Sequence, residues 1–180
     1  MIAQKIHRFF TISDFEQEED FLREQHQNGL ELASYSGLTC YHFKRCEPKD
    51  VVYRLDYCGA NHENKEVYIQ MFRDYGWEYL FERFGWSYFR KEVKEGEDVE
   101  IFSDNQSRLN LVEKVIKTRM LPILIMFLCC MVPQVPNVLF RFELGLKIFW
   151  FVLFGLYIYL VIHCGLGLLR LKRKYETAAK

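Results

Sequence analysis

One stretch of this chain restricts its fold more than any other. Ile148 to Leu169, IFWFVLFGLYIYLVIHCGLGLL, runs for 22 residues without a formal charge. Wound as an α-helix at 1.5 Å per residue it reaches roughly 33 Å, enough to cross a hydrocarbon core of about 30 Å. The alternative, the core helix of a soluble protein, fits so long an uncharged run poorly. Upstream, Met120 to Phe140 (MLPILIMFLCCMVPQVPNVLF) is uncharged for 21 residues. Pro133-Gln134-Val135-Pro136-Asn137 interrupts it after Val132, and Pro122 removes a backbone donor near its start. This run predicts a first span whose outer end frays into a turn, with a short re-entrant segment as the alternative.

The flanks orient the pair. Arg141 to Lys147 is a connection of seven residues, so two spans would form a hairpin with both ends on one side. Nine cations lie on that side: Arg108, Lys114, Lys117 and Arg119 before the first span, and Arg170, Lys172, Arg173, Lys174 and Lys180 after the second. The turn holds two, Arg141 and Lys147. Positive residues stay where the protein is made, so both termini are expected in the cytoplasm. The opening MIAQKIHRFFTISDFEQEED is too charged for a signal peptide, which leaves the hairpin to direct insertion.

Charge divides the chain at the same place. Residues 1–119 carry 17 Lys and Arg against 22 Asp and Glu, and residues 120–180 carry 7 against 2. The first part is therefore net acidic and long enough to bury a core of its own. Within it a phrase recurs. KIHRFF reads as a strand, and Ser13 with Glu16 fits a capping box ahead of an acidic helix start. Phe15, Phe21, Leu22 and His26 give that helix an inner stripe, and Asn28-Gly29 ends it. Strands follow over Leu30 to Tyr35 and Leu38 to Lys44. The second pass runs from a strand at Val51 to Tyr57 to a helix bearing Val67, Tyr68, Met71, Phe72 and Tyr75, ended by Tyr75-Gly76. A hairpin of Trp77 to Phe81 and Trp86 to Lys91 then closes around Gly85.

The copies match residue by residue. Gly29-Leu30-Glu31-Leu32 stands against Gly76-Trp77-Glu78-Tyr79, and Phe43-Lys44-Arg45 against Phe89-Arg90-Lys91, at offsets between 46 and 48. An internal duplication of a strand-helix-strand-strand unit accounts for this, with convergence of two similar hairpins as the alternative. The predicted class is α+β: two units, about 5–45 and 51–91, pool six strands into one antiparallel sheet with helices on one face, followed by a two-helix transmembrane hairpin. The arrangement resembles the duplicated modules of some small-molecule-binding regulators, whose pseudo-twofold cleft holds the ligand, and this is fold-level analogy. The domain boundaries follow as a soluble domain over 1–91, an acidic linker over 92–103, a juxtamembrane helix over 104–119, spans over 120–140 and 148–169, and a basic tail over 170–180.

Rings are dense in this domain. Residues 1–91 hold nine Phe, eight Tyr and two Trp, about one residue in five. Strands alternate faces, and here bulky rings fall on both. A sheet covered on one side shows a polar other side, so the second set of rings needs a cover: a second copy, a partner, an apolar ligand or the segment leading to the membrane. Tyr41, Phe43, Trp77, Tyr79, Trp86 and Tyr88 are the candidate ligand or partner surface on this reading. The alternative is that the rings simply pack a small domain.

Cys40, His42, Cys46, Cys58 and His62 supply five potential metal ligands within 23 residues, yet no Cys-x-x-Cys pair occurs among them. Neither a metal nor a cofactor is expected, and in a reducing compartment no structural disulfide is expected either. Ahead of the first span, Ser103 or Asp104 can cap a helix whose Leu109, Leu111, Val112, Val115 and Ile116 make a partial apolar stripe. Its basic end would meet anionic headgroups at about 1 kcal/mol per cation.

RFFTISDFEQEEDFLREQHQNGLEL, YHFKRCEPKDVVYRLDY, GWEY, GWSYFRK and EIFSD together resemble a bacterial family known as domain of unknown function 2812 (DUF2812), from about Lys5 to about Arg108. The resemblance implies two C-terminal spans and a gene neighbour of the PadR-like winged-helix class, hence a role in transcriptional control or envelope stress. It implies no catalytic residue.

The motifs agree with that last point. No Gly-rich phosphate loop, His-Glu-x-x-His or nucleophile elbow appears, so an enzyme is not expected. Asp14, Glu16, Glu18, Glu19 and Asp20 read as the exposed start of a helix without a basic partner. His7, His26 and His42 read as packed or surface residues. The acidic domain lacks a basic stripe, so no direct nucleic-acid binding is expected. His163 is the one basic side chain inside the second run and falls toward its inner end. The chain is read as a membrane-anchored cytoplasmic sensor or protein-interaction module of a regulatory kind, with a PadR-like regulator, a membrane complex or a second copy as partner. The alternative is an accessory subunit of a membrane transporter or stress complex acting through its hairpin.

Overall fold

Alternating apolar residues and glycine-ended helices set the element order of the first half. β1 (Gln4–His7), α1 (Phe15–Gln27), β2 (Leu30–Ser36) and β3 (Cys40–Arg45) follow one another. The second half repeats the order as β4 (Val51–Tyr57), α2 (Lys65–Asp74), β5 (Glu78–Arg83) and β6 (Trp86–Glu92). The computed structural model describes residues 4–58, 64–93 and 105–178. These fall in two units, Met1–Asp104 and Asn105–Lys180. The acidic linker from residue 94 onward, the Ser103 or Asp104 cap and His62 lie outside the described residues.

Both helices stop the same way. Gly29 and Gly76 take φ of 80° and 81°, the left-handed conformation that ends a helix without a Cβ clash. At Gly29 an added Cβ would also lie 3.2 Å from the Cys46 carbonyl. The predicted Ser13–Glu16 capping box does not form. Asp14 takes the N-cap position and its carboxylate accepts from the Thr11 amide (2.9 Å) and hydroxyl (2.6 Å) instead.

The α+β class stands, but the six strands do not pool. They form two three-stranded antiparallel sheets, ordered β1-β3-β2 and β4-β6-β5. The facing edges find other partners, which is why no single sheet of six appears. The edge amide of Leu55 donates to the Glu19 carboxylate at 2.8 Å, and the edge amide of Leu32 donates to the Tyr53 hydroxyl at 3.4 Å. A side chain thus satisfies one outward donor on each of these edges.

The expectation of both helices on one face is also corrected. Phe21 of α1 packs on Tyr41 and Phe43 of the first sheet at 5.6 and 6.2 Å. Phe15 of the same helix meets Trp86 of the second sheet at 5.3 Å. Trp86 and Tyr88 share one face of β6, whereas Phe89 points the other way, onto Phe72 of α2 at 4.5 Å. The second sheet is therefore held between α1 and α2. The sequence reason is that Trp86, Ser87, Tyr88 and Phe89 are all buried, so β6 has no solvent face.

The two halves share fine detail. Each sheet places its last strand in the centre, and each register shifts once, between Leu32 and Ser34 and between Tyr79 and Phe81. The drift in sequence offset comes from the turns, since Gly37-Leu38-Thr39 joins β2 to β3 and only Phe84-Gly85 joins β5 to β6.

In the second unit, one helix runs Ser107–Arg141 and another Leu144–Ala178, joined by Phe142 and Glu143. The expected turn at Pro133 is absent. Widened turns occupy Ile116–Met120 and Phe127–Met131, each ending two residues before a proline, and Val132–Gln134 tightens to a 3-10 turn. Local changes of winding absorb the donors that Pro122 and Pro133 lack. Between the helices, Phe127 stacks on Tyr157 at 4.8 Å and the Tyr157 hydroxyl donates to the Ile123 carbonyl at 2.5 Å. Beyond the apolar runs, Lys172 reaches Glu113 at 2.8 Å. The most apolar 18-residue window of each helix has a mean hydropathy of 2.1 and is only 6% buried, so both turn apolar side chains outward.

Trp86 sits against Phe15 and Tyr57, both within 5.3 Å. Trp86→Ala is expected to lower the unfolding free energy of the first unit by roughly 3–5 kcal/mol. Thermal and chemical denaturation of the full chain, followed by circular dichroism, reads this; melting indistinguishable from the unchanged chain would contradict the packing described.

Candidate functional site

Five of the six rings predicted as a surface lie inside the fold: Tyr41, Phe43, Trp77, Trp86 and Tyr88 are buried, and Tyr79 is half-buried. They form its packing rather than an open face. What they surround is a carboxylate. Glu18 on α1 is 6% exposed and accepts from the hydroxyls of Tyr41 and Tyr88, each at 2.7 Å. Tyr41 comes from the first sheet and Tyr88 from the second. Burial raises the Glu18 pKa above the usual carboxylate range, opposed by both hydroxyls and by the charge of Arg83. Burial, with Glu18 beside them, also pushes both phenols well above their ordinary range.

Glu18 and Glu19 overturn the reading of this acidic stretch as exposed. Glu19 is 4% exposed and holds Arg54 at 3.4 Å as well as the Leu55 amide. The signal was in the spacing. Phe15, Glu18, Glu19, Leu22 and His26 fall on one helical face. Treating carboxylates as automatically solvated hid it.

Arg83 leads from this centre to the surface. β2 and β5, each the edge strand of its sheet, flank a groove of about 430 Å³. The Arg83 guanidinium lies 3.4 Å from the Tyr35 ring centre and 4.8 Å from that of Phe84, and its Nη2 donates to the Leu38 carbonyl at 3.3 Å. Its Nε and the Tyr35 hydroxyl are buried without a hydrogen-bond partner among the described residues. Phe81 extends the ring wall and stacks on Tyr88 at 4.8 Å.

Phe84 is the strained residue of the groove. It and Gly85 form a two-residue hairpin turn with φ of 48° and 78°, a turn that Asn-Gly fits best. A phenylalanine there costs about 1–2 kcal/mol and leaves its ring 61% exposed. Sequence reasoning marked Gly85 and passed over Phe84, although a ring in the first position of such a turn was the available signal.

A second cleft, of about 370 Å³, opens between the halves elsewhere, lined by His26, Cys46, Lys91 and Arg90 among others. Arg90 is already forked onto Glu78 at 2.7 and 3.0 Å and reaches Glu31 at 3.0 Å. Its charge is matched internally, which makes the Arg83 groove the better candidate. His26 is buried and shares a 2.8 Å hydrogen bond with Tyr53. Of the cysteines, Cys40 lies 3.8 Å from His42, whose Nε2 also meets Ser36 at 2.6 Å. Burial pushes the Cys58 thiol up to about 12, so it stays protonated. Among the described residues no three His, Cys, Asp or Glu side chains converge as a metal site.

One family model matches the chain, described as "Protein of unknown function (DUF2812)", over residues 14–126. The match takes in most of both halves and the start of the first long helix. No curated protein and no solved structure matches.

Glu18 gives a pH prediction. Its folded pKa is raised, so the folded state binds the proton more readily than the unfolded one. That contribution to stability is complete below the unfolded carboxylate value and is lost as pH rises through the folded value. Glu18→Gln retains an oxygen acceptor for both tyrosines and removes the titration. The melting temperature of the substituted chain relative to the original is therefore expected to rise from pH 4 to pH 8. A difference that stays flat, or falls, would contradict the burial of this carboxylate.

Proposed function

Since the chain belongs to the DUF2812 family and joins a two-sheet α+β unit to two outward-apolar helices, we propose that it is a membrane-anchored regulatory module. The first unit binds a ligand or partner at the cytoplasmic face, and the helical pair confines it there. The observation that carries this reading is the burial pattern of the long helices. Their apolar surfaces face outward, as lipid-embedded surfaces do and soluble core helices do not. The nine cations at the two hairpin ends against two at its turn support cytoplasmic termini. The partner we favour is the PadR-like transcription regulator that the family resemblance implies. The paired glycines, strand orders and register shifts support descent of the two halves from one duplicated unit.

A second reading, an accessory subunit acting through its hairpin, is favoured by one feature. His163 and Tyr159 stack at 5.8 Å on an exposed side of the second helix, where a polar pair would suit a partner helix better than lipid.

Two arms of one experiment separate these. Crosslinking and recovery from native membranes uses the full chain and a variant whose residues 120–169 are replaced by unrelated spans. The module reading expects both to sediment with membranes and to recover the same partner. Loss of the partner from the variant alone favours the accessory reading, and recovery of the full chain in the supernatant contradicts both.

A further inference from the structure

We infer that the groove between β2 and β5 is a binding site for a small apolar monocarboxylate, received by Arg83 and bordered by Tyr35, Phe81 and Phe84. This names the ligand class for the module proposed above and rests on that reading for its biological sense. The binding chemistry stands on the groove itself.

Three observations point to the ligand. The first is charge. Arg83 is a guanidinium on a groove wall that donates to a neutral carbonyl through Nη2 at 3.3 Å and whose charge reaches the buried Glu18 only at longer range. Its Nε is buried and unpartnered. A carboxylate supplies the planar acceptor that this fork lacks. Arg90, the comparable cation of the second cleft, already holds two carboxylates at close range, whereas Arg83 acts on Glu18 only at a distance and forms no close ion pair among the described residues. Glu82 also borders the groove with its carboxylate paired to Lys65 at 2.8 Å, so each further negative charge on a ligand is disfavoured and a monoanion fits better than a dianion.

The second is shape. At about 430 Å³ the groove falls in the range of roughly 300–1,000 Å³ typical of small-molecule sites. Its walls are rings and the Leu80 side of β5, and a Cβ placed on Gly37 would meet nothing within 4 Å, so the groove is open on that side. An acyl or aryl body fills such a space where a sugar or nucleotide would strand its polar groups.

The third is strain. The turn holds Phe84 at φ 48°, where asparagine would relax it, and the ring so placed borders the groove beside the cation. Residues kept in a costly conformation cluster at ligand clamps.

The full chain in lipid nanodiscs is titrated with 4-phenylbutyrate, 4-phenylbutan-1-ol and 4-phenylbutylamine by saturation-transfer NMR, with empty nanodiscs correcting for partition into lipid. Saturable binding is expected for the carboxylate alone. Arg83→Gln should weaken it about tenfold or more, as for loss of a charge-assisted pair. Phe84→Asn should weaken it while keeping or raising the melting temperature, because the turn favours asparagine; this variant decides the matter should Arg83→Gln fold poorly. Equal binding of acid and alcohol, no saturable binding of the acid, or unchanged affinity in Phe84→Asn overturns the site. Should the chain still sediment with membranes and retain its partner, that failure falls on the ligand alone and leaves the anchored-module reading intact.

Discussion

Two adjacent carboxylates on α1 determine how the first unit is assembled. A buried carboxylate is costly unless hydrogen bonds or opposite charge compensate it. Glu18 meets that condition only where Tyr41 of the first sheet and Tyr88 of the second converge on it. Glu19 meets it only beside the free edge of β4, at the Leu55 amide and Arg54. Once α1 docks with both satisfied, the two sheets have a common strut. The apolar contacts agree with this geometry, Phe21 filling the first sheet and Phe15 the second.

The halves are alike in their turns and unlike in their burial. α1 serves two sheets, whereas α2 uses Tyr68 and Phe72 inward and leaves Val67, Met71 and Tyr75 exposed. The asymmetry traces to β6. Its Trp86 and Tyr88 stand in register positions held by Cys40 and His42 on β3, so one central strand has rings on two faces and the other on one. The same asymmetry shapes the groove. Tyr35 from the first half and Arg83 from the second meet because α1 draws β2 and β5 to a shared boundary.

Much of this was legible in the residues. The strand-helix-strand-strand order, the helix stops at Gly29 and Gly76 and the two long apolar runs followed from period and turn chemistry. The sheet count did not, because edge pairing depends on which side chain reaches an amide, and the Glu19 to Leu55 bond spans 36 residues. The prolines misled for a related reason: Pro133 reads as a break, but a helix can widen one turn and tighten the next and continue. The ring surface was misplaced because a helix was expected on one side of one sheet only. The importance of Arg83 lies in bordering an open groove with no close ion pair among the described residues, which only three-dimensional pairing reveals.

The central claim is that α1 makes the two sheets one cooperative body. Hydrogen exchange followed by mass spectrometry on the full chain, with and without Glu19→Ala, tests it most directly. If α1 is the shared strut, amides of β3 and of β6 lose protection together and by similar factors. Faster exchange confined to α1 and its own sheet, with β4 to β6 as protected as before, would show that each half stands alone and contradict the account.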